Sequence, residues 1–344
     1  MKKSIIILLC MFFCCVKGFA QTDAQFTLFP WASLYYNPGA AGEQNNTLCF
    51  TAFFKQQYIG FKTPYYEEGA KEPKYDNDSP QQILFNAEFA SRKIRGAFGL
   101  SIINDKPAGL QNNVGIRLGY AYKQPLGNGN LGIGLQVGLL NMAFKTDNFR
   151  PKDPNDPTLT NVGNAKSYMS LDFNFGLFYK TEQWYVGASA TNLAATKTLT
   201  ISGGDEARTV RQLYVHGGYI WTIPSNPSWT LEPQALVKTD LSTAQLDLMV
   251  LARYNGVIWT GLSYRIDNAV SVLVGARPFN NSSNNYLKGL EIGVSYGFTT
   301  AKFGYKTEGS YGDAEVMVRY GFDIFKKEVF SGYGSTRSIY KNQY

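Results

Sequence analysis

A chain of 344 residues with 33 basic and 26 acidic side chains carries a formal charge of +7, but Lys2, Lys3 and Lys17 fall in the first twenty residues and leave 30 against 26 in the rest. That near balance excludes a nucleic-acid surface built on net charge. Aromatic residues reach 15% and charged residues only 17%, yet beyond the first twenty residues no run approaches the ~18 apolar residues of a spanning helix, so passage through a membrane would fall to strands.

The chain opens with a secretory signal pattern: basic Lys2 and Lys3, an apolar stretch from Ile5 to Val16, and Gly18-Phe19-Ala20 with small residues where a signal peptidase reads. Residues 1–20 are expected to be removed by cleavage between Ala20 and Gln21. Bulky Phe12 and Phe13 before Cys14 and Cys15 argue against a lipobox. Cys10, Cys14 and Cys15 leave with the leader, so Cys49 stands alone and an intramolecular disulfide is excluded.

Residues 21–45 contain the aromatic stretch QTDAQFTLFPWASLYYNPGAAG, broken by Pro30 and Pro38, which reads as an irregular periplasmic or plug segment. From 46 to 325 the chain alternates. A first strand is expected over Thr47 to Gly60, then strands over Gln82 to Ala90 and Arg95 to Asn104. The stretch from Asn113 to Met142 is the clearest: Leu131, Ile133, Leu135, Val137 and Leu139 alternate with Gly132, Gly134, Gln136 and Gly138. A period of two makes this a strand with one aliphatic face and one face almost without side chains. Ile116, Leu118, Tyr120 and Tyr122 alternate likewise before the glycine-rich PLGNGN, giving a hairpin whose strands have the length that a tilted bilayer-crossing strand needs.

Further strands are expected at Tyr168 to Lys180, Gln183 to Thr191, Gln212 to Ile223, Trp229 to Lys238, Gln245 to Tyr254 and Gly256 to Arg265. Three more follow around Val270 to Val274, Ile292 to Phe298 and Val316 to Ile324. Asn255-Gly256 is the strongest short hairpin signal. In the last strand Glu315, Met317, Arg319, Gly321 and Asp323 oppose Val316, Val318, Tyr320 and Phe322, which fits a polar lumen and a lipid-facing exterior. The count is fourteen, in a single domain undivided by any linker: an all-β transmembrane antiparallel barrel with both termini periplasmic, ending in a periplasmic tail over 326–344. Connections mostly alternate short and long, as in outer-membrane barrels. One pair breaks the rule, since 266–268 is shorter than 278–287. Trp184, Tyr185, Trp221, Trp229 and Trp259, near predicted turns, fit interfacial aromatic girdles.

No constellation points to catalysis, a cofactor or a metal. His216 is the only histidine and sits at strand spacing in YVHGGY, which suits a lumen or interface position better than a triad. Glu67-Glu68 lies in a polar loop, and Asp76-Asn77-Asp78 and Asp153-Pro154-Asn155-Asp156 lack the spacing of a calcium loop. Gly127-Asn128-Gly129 has no following helix and no placed Lys-Ser/Thr, so it reads as a hairpin turn and not a phosphate cradle.

Six segments in order, YNPGAAG (36–42), KQQYIGFKTP (55–64), the stretch 99–142, FGLFYKTEQWYVGASATNL (175–193), 236–265 and GSYGDAEVMVRYGF (309–322), resemble the PorP/SprF family of Bacteroidetes outer-membrane proteins. The chain departs in Ser310-Tyr311-Gly312-Asp313 and in running past Ser335-Thr336-Arg337. The resemblance implies a non-enzymatic barrel of the type IX secretion and gliding machinery. It would dock the ring lipoprotein and peptidoglycan-linked periplasmic components and an exported cell-surface adhesin or similar substrate. Its working surfaces would be the loops at 61–80, 143–167 and 192–211 and the tail, with Arg337, Tyr340 and Tyr344 as candidate partner-facing residues. The alternative is a diffusion channel or small-solute transporter lined by Arg117, Lys123, Glu315 and Arg319.

Overall fold

The computed structural model describes residues 23–43, 48–65, 72, 74–77, 79–91, 93–107, 111–144, 167–194, 197–201, 205–208, 210–280, 287–300 and 311–322. Fourteen strands form one antiparallel meander: β1 (Leu48–Gln56), β2 (Gln81–Ser91), β3 (Gly96–Lys106), β4 (Gln111–Leu126), β5 (Gly129–Phe144), β6 (Ser167–Lys180) and β7 (Trp184–Thr191) make the first half. The second half is β8 (Gln212–Tyr219, resuming at Trp221–Thr222), β9 (Trp229–Thr239), β10 (Ala244–Tyr254), β11 (Ile258–Arg265), β12 (Ala269–Ala276), β13 (Leu290–Thr299) and β14 (Asp313–Phe322). Each strand pairs with the next, and β1 pairs with β14 from Leu48 opposite Phe322 to Gln56 opposite Ala314. The sheet therefore closes, and no barrel edge is left with unpaired backbone groups in lipid.

The fourteen strands and the closed barrel match the sequence expectation, with ends shifted by a few residues. The parity exception is a real turn and not a missing strand: Arg265 pairs directly with Ala269 across 266–268, where Asp267 takes a φ of 56°. Asn255 and Gly256 reverse the chain with φ of 50° and 62°, the conformation for which that dipeptide is suited. At the other mouth, Asp240 closes the β9–β10 turn. Partial burial raises the pKa of its carboxyl, but hydrogen bonds from the Thr243 and Ser242 backbone N–H groups outweigh this and hold it below the ordinary carboxylate range.

Two mouths follow from this connectivity. The short-turn mouth carries the turns around 92–95, 127–128, 181–183, 223–228 and 255–257, the longer 277–289 connection, the start of β1 and the end of β14. The long-loop mouth carries 57–80, 145–166, 192–211 and 300–312, and also the brief connections 107–110, 240–243 and 266–268. Two hairpins stand at the long-loop mouth, Lys62–Tyr65 with Lys74–Asn77 and Lys197–Ile201 with Asp205–Arg208.

Alternation along the strands sorts side chains between lipid and bore. Leu135, Val137 and Leu139 of β5 are 66%, 48% and 49% exposed, while Gln136 between them is buried. An arginine at position 135, midway along β5, would place its charge near the bilayer centre, a cost of about 2–4 kcal/mol for an outward-facing barrel position. Leu135→Arg is expected to reduce the fraction folding into lipid vesicles, read from the mobility of unboiled samples on gels, while Leu135→Ala folds like the parent.

The girdle expectation needs two corrections. Trp184, Trp221 and Trp229 are exposed on the outer wall as expected, but Trp259 is 2% exposed and its Nε1 donates to Glu291 Oε1 at 3.1 Å. Trp259 faces the bore because its neighbours Ile258 and Thr260 hold the lipid side of β11. Tyr185 likewise points inward from β7 and donates its hydroxyl to Gln234 Oε1 at 2.6 Å.

Candidate functional site: a plug threaded through the bore

Residues 23–43 lie inside the barrel. With two prolines and little periodicity they form short single turns, a 3-10 turn at Phe29–Ala32, an α-turn at Ser33–Tyr36 and a second 3-10 turn at Pro38–Ala40. Phe26, Leu28, Phe29 and Tyr36 are buried, packed in one apolar cluster with bore-facing wall residues such as Phe53, Leu236, Met249 and Met317, while Leu34 is buried in a second cluster with Ala90, Ala97 and Ala121. The apolar core of this barrel is therefore the interface between the plug and the inner wall.

Three anchor zones hold the segment. At the long-loop mouth, Asp23 accepts from Asn192 Nδ2 and Tyr214 OH, both at 3.2 Å, and lies 3.7 Å from Arg117. Lys55 Nζ donates to Gln25 O at 2.7 Å, and the Glu315 carboxylate accepts from Thr27 N and Leu28 N at 2.7 and 2.9 Å. Farther along the segment, near the short-turn ends of β10 and β11, Trp31 stacks on Trp259 with ring centroids 4.7 Å apart, and the Arg253 guanidinium lies 5.6 Å from the Trp31 ring. At the short-turn mouth, Gly42 N donates to Glu88 Oε2 at 2.7 Å, Lys180 Nζ donates to Glu43 O at 2.9 Å, and Lys123 Nζ pairs with the Glu43 carboxylate.

Between these zones, Asn37-Pro38-Gly39 rests on bare backbone. Gly132 and Gly134 of β5, Gly176 of β6 and Gly187 of β7 form a strip with no side chains on its bore face. A Cβ placed at Gly134 would run into the Pro38 carbonyl carbon and Gly39 N, and one at Gly176 into Asn37 Oδ1. A Cβ at Gly39 would in turn lie 2.8 Å from Gly176 O and 2.9 Å from Gly132 O. The nearly empty face of the β4–β5 hairpin is thus a seat.

Asn37 fixes the register on that seat. Its Oδ1 accepts from Gly39 N at 2.9 Å, and its Nδ2 donates to Leu177 O at 2.9 Å and approaches His216 Nε2 at 3.2 Å. An amide nitrogen has no lone pair to offer, so Nε2 is the acceptor and His216 is a neutral ring protonated at Nδ1. His216 is a lumen histidine, as its strand spacing suggested. Asn37→Asp keeps the shape but removes both donors, and is expected to loosen the plug and raise proteolytic cleavage between residues 23 and 43 in the folded barrel.

The inner charged row is paired and not free. Arg117 lies 3.6 Å from Asp172, Lys55 is 3.9 Å from Glu315, and Asp247 holds Arg265 at 3.0 Å and Lys238 at 2.9 Å. Glu291 gathers Arg253, Arg277 and Arg319 at 3.3, 3.0 and 3.1 Å. Cys49 is buried beside this row and accepts from Arg319 Nε at 3.3 Å. Among the described residues no group of three or more His, Cys, Asp and Glu side chains is arranged for a metal ion.

The segment enters the bore at the long-loop mouth and leaves at the short-turn mouth, where β1 begins, so Asp23 and Phe322 sit at opposite mouths of the barrel. Nothing in the sequence pattern sets the direction of threading. The cleavage pair Ala20 and Gln21, the tail residues Arg337, Tyr340 and Tyr344, and most of the loop 143–167 lie outside the described residues.

The family described as type IX secretion system membrane protein PorP/SprF matches residues 18–320, from just before the plug to the last strand. The chain belongs to this family. As a PorP/SprF protein with a closed transmembrane barrel, it resides in the outer membrane. No curated protein matches the sequence. Among solved structures, the Ralstonia pickettii toluene transporter TbuX is 12% identical with a TM-score of 0.47 over 88% of this chain and 96% of that one. The Pseudomonas putida toluene transporter TodX is 11% identical with a TM-score of 0.48 over 85% and 93%. The Acinetobacter baumannii outer membrane protein Omp33 is 7% identical with a TM-score of 0.44 over 81% and 100%.

Proposed function

We propose that this PorP/SprF protein is a closed docking barrel and not a conduit. Its periplasmic side engages the ring lipoprotein and peptidoglycan-linked components of the type IX machine, and its loop side holds an exported cell-surface adhesin or similar substrate, in secretion or in gliding. The observation that carries this reading is the plug: residues 23–43 cross the bore and bond to the wall near both mouths and, through Asn37, to Leu177 of β6 between them. A diffusion channel needs a continuous aqueous path with charges free to meet the solute. Here Arg117, Lys123, Glu315 and Arg319, the side chains such a channel would use, are ion-paired within the protein.

In this reading the leader is removed after Ala20, the short-turn mouth faces the periplasm, and residues 326–344 with Arg337, Tyr340 and Tyr344 reach the periplasmic partners. An affinity pull-down of the detergent-solubilised protein from its own membranes tests this. The intact protein is expected to retain ring lipoproteins or a large surface protein, and deletion of Lys326 to Tyr344 is expected to release the periplasmic set alone. Recovery of the bare barrel in both cases would end the docking assignment.

A further inference from the structure

We infer that the mature N-terminus opens onto the long-loop mouth and forms part of that interaction face, on the opposite side of the membrane from the point where the chain leaves β14. Asp23 is bound by Asn192, just past the end of β7, and by Tyr214, near the start of β8, both of which border the 192–211 loop. Gln25, Thr27 and Leu28 are held by Lys55 and Glu315, which lie near the long-loop ends of β1 and β14. By Gly42 and Glu43 the backbone has reached Glu88, Lys123 and Lys180 at the other mouth. The segment therefore threads the barrel from one mouth to the other, and only Gln21 and Thr22 of the mature chain precede the first anchored residue.

Two consequences follow. With the short turns in the periplasm, as the docking reading has it and as outer-membrane barrels place them, the free α-amino group lies at the cell surface among the loops that would hold the exported polypeptide. That polypeptide then meets an N-terminus physically continuous, through residues 23–43, with the periplasmic mouth. A leader still attached cannot follow this route, because an apolar stretch lodged in the inner membrane cannot pass through the bore. Leader removal must come before the plug is seated.

Cysteine labelling in cells tests the threading separately from the docking. Cys49 is buried, and the leader carries away the other three cysteines. Thr22→Cys is compared with Ser242→Cys in the exposed turn at the long-loop mouth and Glu182→Cys in the exposed turn at the short-turn mouth. Each full-length variant is treated with a membrane-impermeant maleimide on intact cells and again after permeabilisation. Thr22→Cys is expected to label under the same condition and to the same extent as Ser242→Cys, with Glu182→Cys reacting under the other condition. Labelling of Thr22→Cys alongside Glu182→Cys would overturn the inference, and so would labelling in neither condition, since the N-terminus would then stay within the bore. Whichever turn reacts on intact cells fixes the orientation by itself, so an inverted barrel is told apart from a plug threaded the other way.

Discussion

Gly134→Val or Gly176→Val is expected to turn a silent barrel into a conducting one. At both positions the bore face of the wall has no side chain and the plug touches the backbone. At Gly134 the obstacle is the Pro38–Gly39 peptide itself, which has no rotamer with which to yield. Overpacking of this kind costs about 1–3 kcal/mol, and lifting Asn37 from its seat forfeits its contacts with Leu177 O and His216 at about 0.5–1.5 kcal/mol each. The wall bears little of the strain, because valine suits a strand and β5 pairs fully with β4 and β6. The plug, held by its two mouths, bows off the glycine strip. In planar bilayers the parent is expected to show no steady single-channel current, Gly134→Val to show intermittent openings, and deletion of residues 23–43 to show a stable open level. A Gly134→Val barrel that folds and stays silent would remove the glycine strip from any role in closure.

The same strip shows what could be read from the sequence. The alternation of Leu131 through Leu139 with Gly132, Gly134, Gln136 and Gly138 is a local pattern, set by lipid on one side and bore on the other, so strands, count and facing follow from it. The occupant of the bore does not. Asn37 meets Leu177 and His216 across separations of 140 and 179 residues, and Glu315 meets Thr27 across 288. No periodicity encodes such pairings. A signal was present nonetheless: an NPGAAG run of small residues and a wall face without side chains are complementary shapes, and matching them would have found the seat. Trp259 misled for another reason. An aromatic near a strand end reads as a girdle residue on either face, and only its bond to Glu291 and its stack on Trp31 reveal the inward one.

Charge inside this wall is arranged so that single carboxylates serve several cations, and the clearest case is Glu291. Glu291→Gln is expected to be the most destabilising conservative change in the barrel. The carboxylate is 1% exposed, and Arg253, Arg277 and Arg319 converge on it from three different segments of the wall. Removing one partner of a buried ion pair costs about 3–5 kcal/mol, because the opposite charge stays behind in a poorly solvating site. Arg253 retains Glu232 at 2.7 Å and Arg319 retains its bond to Cys49, so what is lost is the shared carboxylate charge among the three guanidinium groups. Glutamine still offers an oxygen to Trp259 Nε1, so the stack of Trp31 on Trp259, which anchors the plug there, should survive. The charge effect is therefore separable from the packing effect: Glu291→Gln should lower the temperature at which the barrel loses its compact mobility on unboiled gels while tryptophan emission below that temperature stays unchanged. Glu291→Leu should lower both. If Glu291→Gln melts with the parent, the three arginines are solvated through the bore, and the plug does not exclude water as closely as its burial implies.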